Sequence, residues 1–140
     1  MNEGYKMMIK NGAYMSKTGK KILVIDNDKT QINQIKNGLE MDFEVFCANS
    51  DKEALEHFTR GLIPDLILVD ILMIKRRGWE LYHFLRGISL LQSVPIAIIT
   101  SEPQKDEETK AKKIGVKVYL ERTSDAKELK GKILNILDGR

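Results

Sequence analysis

The sequence predicts an α/β fold, in which a doubly wound parallel sheet of five strands carries helices on both faces. Short apolar runs alternate with amphipathic stretches five times along the chain, which is typical of successive βαβ units. Residues 22–25 and 66–69 are apolar throughout, as expected for strands that are covered on both faces. The common strand order for such a sheet is 2-1-3-4-5, so the first and third strands are expected to be neighbours.

Each element is predicted from its own pattern. The five strands are residues 22–25, 44–47, 66–69, 96–99 and 117–120. Apolar residues recur at helical spacing in four places, namely Ile32, Ile35 and Leu39; Ala54, Leu55 and Phe58; Leu81, Phe84 and Leu85; and Leu129, Ile133, Ile136 and Leu137. One more helix, the fourth in chain order near residues 106–114, is almost entirely charged and is expected to be weakly held. Capping signatures pair Asp28 with Gln31, Ser50 with Glu53, and Asp125 with Glu128.

Length and composition indicate one domain of ordinary globular character. Residues 1–19 carry glycines among lysines and methionines and are predicted to be a flexible tail, with Met15 as an alternative start, before a folded domain at 20–140. No apolar stretch is long enough to span a bilayer, and no secretory signal is recognised. The single cysteine, Cys47, allows no internal disulfide, which favours a cytoplasmic location. A net charge of +3 does not favour nucleic-acid binding.

Polar side chains follow four of the predicted strands. Asp26 and Asp70 end the first and third strands, Thr100 ends the fourth, and Arg122 comes shortly after the fifth. Neighbouring strands lie about 4.8 Å apart, so Asp26 and Asp70 can share a hard cation. The next amphipathic stretch begins only around residue 78, so Asp70 is predicted to cap no helix, and a buried acid needs a partner. Asp26 is interpreted as a site residue, with a turn residue as the alternative.

Several motifs together resemble the receiver domain of two-component response regulators. They are KILVIDND at 21–28, PDLILVD at 64–70, Gly78, PIAIITS at 95–101, Gly115, and YL at 119–120. The resemblance covers essentially residues 20–137 and implies a flavodoxin-like arrangement of the predicted sheet. It also implies that Asp70 is a phosphoacceptor, which receives a phosphoryl group from a histidine kinase or a histidine phosphotransfer protein.

The resemblance further implies a magnesium site and a phosphoryl-dependent switch. Mg²⁺ would be held by Asp26, Asn27, Asp70 and the backbone carbonyl of Leu72. Phosphoryl binding and switching would involve Thr100, Ser101, Tyr119 and Arg122. In this family, signals pass through a face that corresponds to the fourth predicted helix, the fifth strand and the fifth helix.

The site residues depart from the family pattern at several positions. Asn27 stands where a second acid is usual, which removes one negative charge and should weaken metal binding. Arg122 and Thr123 stand where a lysine and a proline are usual, and arginine is a planar fork rather than a compact ammonium. Ile74 replaces a proline and is followed by the triplet KRR at 75–77. That triplet is either a solvated charge run, or an anion-binding patch or docking surface for an acidic partner.

Two functional hypotheses follow, and they belong to different classes. The first is a stand-alone receiver that is phosphorylated on Asp70 and signals to an unidentified downstream protein. Such a domain is not an enzyme, although weak self-phosphorylation and dephosphorylation are compatible with it. The alternative is a degenerate receiver that acts as a phosphorylation-independent protein-interaction module. A flavodoxin-like binder of a small ligand lacks support, because no glycine-rich loop follows the first strand. No membrane partner is predicted, and homodimerisation is left open.

Overall fold

The structure, a computed structural model, describes residues 8–10, 13–15, 18–75 and 79–139. Its strands are β1 (Met8–Lys10), β2 (Ala13–Met15), β3 (Lys21–Ile25), β4 (Glu44–Ala48), β5 (Leu66–Asp70), β6 (Ile96–Thr100) and β7 (Val118–Glu121). Its helices are α1 (Lys29–Leu39), α2 (Asp51–Thr59), α3 (Ile71–Lys75), α4 (Glu80–Arg86), α5 (Lys105–Lys113) and α6 (Ala126–Leu137), with a 3-10 turn at Ser89–Leu91. Over this part of the chain, no helix combines the length and apolar character needed to cross a membrane.

The last five strands form one parallel sheet in the order β4-β3-β5-β6-β7. This confirms the predicted 2-1-3-4-5 order, and each predicted strand agrees with the observed one to within one residue at each end. Asp70 and Thr100 are the last residues of β5 and β6 rather than the first residues beyond them. Both side chains therefore belong to the rigid edge of the sheet.

Two apolar layers cover the two faces of this sheet, because successive strand residues point to opposite sides. Ile22 and Val24 join the layer that includes α1 and α6, whereas Leu23 and Ile25 join the layer that includes α2, α3, α4 and α5. The central strands are buried along their whole length. Helices on both faces therefore explain why these strands are apolar throughout.

The predicted helix caps are confirmed at all three positions. The side chain of each capping residue accepts backbone N–H bonds from the first turn: Asp28 from Thr30 and Gln31, Ser50 from Glu53, and Asp125 from Lys127 and Glu128. Each bond satisfies a donor that has no partner within the helix. The helix starts can therefore be read from the local sequence.

The segment after Asp70 differs from the prediction. Helix α3 begins at Ile71, and Oδ2 of Asp70 accepts a hydrogen bond of 2.9 Å from the amide of Leu72. The statement that Asp70 caps no helix was therefore wrong. Ile71 and Ile74 are both buried, and a helix of five residues is too short to show a recognisable period. Asp70 thus has a local structural partner in addition to its position at the sheet edge.

Other differences are local. Leu55 and Phe84, which belong to the apolar repeats that predicted two of the helices, are exposed. Inside the predicted tail, β1 and β2 form an antiparallel pair that the pattern did not indicate. The rest of residues 1–17, and residues 76–78 of the basic triplet and its glycine, lie outside the described residues. The domain boundary at residue 20 stays a prediction.

Candidate functional site

Three buried polar residues meet at the carboxyl edge of the sheet. Asp26 follows β3, Asp70 ends β5 and Thr100 ends β6, and these strands are neighbours. Asp26 and Thr100 are each 2% exposed and Asp70 is 5% exposed; no other polar residue in the described part of the chain is buried to this degree. Burial of two carboxylates and a hydroxyl at one place requires compensating partners. The sheet therefore brings together three of the residues predicted from the sequence.

Arg122 lies against both carboxylates. Its backbone amide donates to the Thr100 carbonyl at 2.7 Å, which holds it beside the end of β6. Its Nη2 atom donates to Oδ2 of Asp26 at 3.2 Å and to Oδ1 of Asp70 at 3.1 Å. The Arg122 side chain is 13% exposed, so solvent screens these two ion pairs less than it screens surface pairs.

Backbone amides hold the other oxygen of each carboxylate. Oδ1 of Asp26 accepts from the Asp28 amide at 2.9 Å, and Oδ2 of Asp70 accepts from the Leu72 amide at 2.9 Å. All four oxygens of the pair therefore have a protein partner. Burial raises the pKa of Asp26, and the Asp70 carboxylate adds to this rise; the Asp28 amide and Arg122 oppose it.

A cavity of about 280 Å³ opens above these carboxylates. Six of the residues predicted from the sequence line it, namely Asp26, Asn27, Asp70, Leu72, Thr100 and Ser101. Arg122 instead lines a second cavity, whose other walls come from α1 and α6. The guanidinium therefore approaches the carboxylates from the α6 side, whereas residues of α3 and α5 line the first cavity.

Tyr119 lies on β7, next to β6 in the sheet. Its hydroxyl oxygen is buried and has no hydrogen-bond partner among the described residues. Burial raises the pKa of this hydroxyl, and the nearby Glu107 carboxylate raises it further, whereas the Thr100 side chain on the neighbouring strand lowers it. A buried hydroxyl is costly unless it has a well-placed partner.

Among the charged residues of this cavity that the sequence did not assign to the site, two form an ion pair. Lys75, at the end of α3, forms an ion pair with Glu107 of α5, and both line the cavity. The sequence showed Lys75 only as part of a basic triplet, and Glu107 only as one charge on a charged helix. They are 32 positions apart in the sequence, which leaves no spacing signal by which their contact could be found.

Comparison with known proteins identifies the family. The pattern of the response regulator receiver domain matches residues 22–134, which is most of the chain. The chain belongs to the response regulator receiver family. Receiver domains are signalling domains of two-component systems and generally not enzymes. They take phosphoryl groups from histidine kinases and generally bind Mg²⁺.

Individual relatives agree with this assignment. The sensory transduction protein BceR of Halalkalibacterium halodurans is 29% identical over 84% of the chain. A receiver domain structure from Clostridium thermocellum is 30% identical, with a TM-score of 0.70, 85% of this chain covered and 94% of that one. CheY4 of Vibrio cholerae shares the fold at 22% identity and a TM-score of 0.71, over 84% of this receiver and 98% of CheY4. The receiver spans about half the length of BceR.

The residues at the cavity can be tested against the metal that the family generally binds. Asp26, Asn27, Asp70 and the Leu72 carbonyl offer only oxygen donors, which is the chemistry that Mg²⁺ requires. However, no group of three acidic, histidine or cysteine ligands occurs among the described residues. Arg122 already supplies a positive charge to both carboxylates. The donor set therefore fits Mg²⁺ in kind, with one charge fewer than two acids after β3 would supply.

Proposed function

We propose that this receiver accepts a phosphoryl group on Asp70 from a histidine kinase or a histidine phosphotransfer protein. The observation that carries the proposal is the position of Asp70 at the end of the central strand β5. There it shares one cavity with Asp26 and Thr100 of the neighbouring strands. Phosphoryl transfer mainly requires positioning and stabilisation of charge on the transferred oxygens. Carboxylate, hydroxyl and cations at one sheet edge provide these components.

The transfer step involves one bond formed and one bond broken. A carboxylate oxygen of Asp70 forms a bond to phosphorus while the phosphorus–nitrogen bond of the donor phosphohistidine breaks. The electron pair of that bond returns to the imidazole nitrogen of the donor. The product is an acyl phosphate on Asp70, which carries more negative charge than the carboxylate that it replaces.

Mg²⁺ is proposed to bind at Asp26, Asn27, Asp70 and the carbonyl of Leu72. When bound, it would offset negative charge on the phosphoryl oxygens. Asn27 contributes an amide oxygen without a charge, so the affinity is expected to be lower than with an acid there. An Asn27→Asp variant should therefore bind Mg²⁺ more tightly, and unchanged affinity in a calorimetric titration would contradict this account of the missing charge.

The remaining site residues are proposed to bind or report the phosphoryl group. Thr100 and Ser101 border the cavity and offer hydroxyl donors to phosphoryl oxygens. Arg122 stabilises negative charge on Asp70 from the α6 side, and Tyr119 changes position with the switch. We propose that the signal leaves through the face formed by α5, β7 and α6, which corresponds to the fourth predicted helix, fifth strand and fifth helix.

The setting of this activity also stays a prediction. A stand-alone role is one such prediction, and BceR is about twice as long as the matched segment. The downstream protein, homodimerisation, a cytoplasmic location and weak self-phosphorylation are further predictions.

The central test is modification of the domain by a small phosphodonor in the presence of Mg²⁺. We expect intact-protein mass spectrometry to show the addition of one phosphoryl group, and Asp70→Asn to abolish it. Asp28→Asn is a matched control, because Asp28 is an exposed acid at the same cavity and should leave the mass gain unchanged. No mass gain in the parent domain at millimolar Mg²⁺ would contradict the proposal.

One observation favours a second candidate function. Arg122 already contacts Asp26 and Asp70. The two buried carboxylates therefore have a positively charged partner without a metal or a phosphoryl group. A degenerate receiver would keep this arrangement and bind partners independently of phosphorylation. The two candidates separate in one experiment, because partner binding by the degenerate form would be unchanged in Asp70→Asn.

A further inference from the structure

We infer that Lys75 is a phosphoryl-binding residue, and that Glu107 holds its ammonium group until Asp70 is modified. This inference rests on the proposed function and concerns how the same site responds to its new charge. Lys75 is the last residue of α3, five positions after Asp70. Its side chain is 44% exposed and lines the same cavity as Asp70 and Thr100.

The charges of the cavity wall show why a cation is needed there. Five carboxylates line the cavity, from Asp26, Asp28, Asp70, Glu102 and Glu107. Among the described residues, Lys75 is the one lysine or arginine in that wall. A phosphoryl group on Asp70 would add further negative charge to this acidic surface. Within the part of the chain that the structure describes, the ammonium of Lys75 is therefore the counter-charge available in this cavity.

Arg122 does not fill this position. Its Nη2 atom is engaged by Asp26 and Asp70 together, and its side chain lines the cavity on the α6 side. It therefore contacts the carboxylates from one side only. Lysine, by contrast, carries three donors on a flexible stem and can move its charge through several ångströms.

The present partner of Lys75 can be exchanged. The pair is open to solvent on the Lys75 side, because the Lys75 side chain is 44% exposed while that of Glu107 on α5 is 19% exposed, and ion pairs that solvent reaches are weak. A phosphoryl group carries nearly two negative charges and three acceptor oxygens, compared with one charge on the Glu107 carboxylate. Asp70, which would carry the phosphoryl group, and Glu107 line the same cavity as Lys75. The modified Asp70 should therefore attract Lys75 away from Glu107.

This exchange would change α5, because the helix has few other attachments. Ala111 is the one buried residue of α5, and no side chain caps its first turn. Release of Glu107 removes a link between α5 and α3. It also leaves the Glu107 carboxylate unpaired near the buried Tyr119 hydroxyl. Glu107 raises the pKa of that hydroxyl and Lys75 lowers it. The phosphoryl group would thereby reach the proposed signalling face through Lys75.

The test uses two variants that break the same ion pair and should have opposite effects. Fluorine NMR can measure the affinity of the Mg²⁺-loaded domain for beryllofluoride, a mimic of the phosphoryl group. Lys75→Met removes the cation, and we expect affinity to fall about two- to fivefold. Glu107→Gln frees the cation, and we expect affinity to rise by a similar factor. A purely structural ion pair would shift both variants in the same direction.

Two controls separate direct binding from a general change in the electric field. Glu102→Gln removes a negative charge from the same cavity without freeing Lys75, and it should raise affinity less than Glu107→Gln does. Lys112→Met removes a cation from an exposed pair with Glu108 on α5, and it should leave affinity unchanged. Circular dichroism of every variant shows whether the fold is kept.

Each outcome decides the question. Opposite shifts that exceed those of the controls support the inference. Equal shifts in Glu102→Gln and Glu107→Gln, or a loss of affinity in both Lys75→Met and Glu107→Gln, overturn it while Asp70 modification stands. If the parent domain binds no beryllofluoride in a manner that depends on Asp70, both the proposed function and this inference fail.

Discussion

The two sides of the Asp70 site are held in different ways. On the α6 side, Leu129 and Ile133 are buried, and Arg122 contacts both buried carboxylates. On the α5 side, the helix buries only Ala111, and a surface ion pair links it to α3. Core packing of one aliphatic side chain is worth about 2–5 kcal/mol, whereas an exposed ion pair is worth about 0–1 kcal/mol. A new charge at Asp70 can therefore rearrange the α5 side and leave the α6 side in place.

The largest effect is expected in the packing of α6. Ile133 is fully buried, so Ile133→Ala should lower the free energy of unfolding by about 2–4 kcal/mol through lost burial and a cavity. Denaturant unfolding measures this change. Leu90→Ala is the control, because Leu90 is 67% exposed and should change stability by less than about 0.5 kcal/mol. Similar costs for both variants would contradict a firmly packed α6 side.

Removal of the α6-side cation should have the next largest effect. Arg122→Met leaves Asp26 and Asp70 without their shared cation, so we expect a loss of about 1–3 kcal/mol in chelator at neutral pH. Mg²⁺ should restore more stability to this variant than to the parent, because it meets less competition from a positive charge. Equal stabilisation of both proteins by Mg²⁺ would show that Arg122 does not compete with the metal.

A smaller effect with a defined pH dependence is expected at Asp26. Burial and the nearby Asp70 raise the pKa of Asp26 above its ordinary value of 3.8. The folded state thus binds this proton more readily than the unfolded state, and ionised Asp26 reduces stability once the pH exceeds 3.8. Asp26→Asn keeps an acceptor oxygen and should raise Tm at pH 7 in chelator. The gain should vanish as the pH falls toward 3.8.

The control for that prediction is Asp28→Asn, since Asp28 is exposed and asparagine also caps helices well. Its Tm should match the parent at both pH values. A lower Tm for Asp26→Asn at pH 7 would mean that the pairing of Asp26 with Arg122 outweighs the cost of its burial.

The smallest effect belongs to the α5 side. Glu107→Gln breaks the pair with Lys75 and should lower the free energy of unfolding by no more than about 1 kcal/mol. Its effect on α5 should be clearer in amide hydrogen exchange, which detects local opening. A loss comparable to that of Ile133→Ala would show that α5 is held as firmly as α6.

The sheet and its buried acids could be predicted from the sequence because their signals are local. Strand residues 66–69 are apolar without interruption, and a parallel sheet in the usual order brings Asp26 and Asp70 together. The family resemblance then suggested roles for Thr100 and Tyr119. These inferences require only which strands are neighbours, not how side chains are oriented.

The charged contacts around the site could not be predicted in the same way. The ion pair of Lys75 with Glu107 joins two elements that are distant in sequence, and either residue alone resembles an ordinary surface charge. Helix α3 has five residues, so its two buried isoleucines do not distinguish a helical repeat from a strand or a loop. The position of Arg122 after the fifth strand placed it at the same sheet edge as both acids, but its direct contact with them depends on the path of the chain after β7. Contacts between side chains that are distant in the sequence leave no periodic pattern by which they could be predicted.

The most direct test of the account is amide hydrogen exchange with and without beryllofluoride in saturating Mg²⁺. We predict that amides of α5 exchange faster when the mimic is bound, whereas amides of α6 do not change. The Asp70→Asn variant should show neither effect. Unchanged exchange in α5, or an equal change in α5 and α6, would contradict the claim that charge at Asp70 acts through the weakly held side of the site.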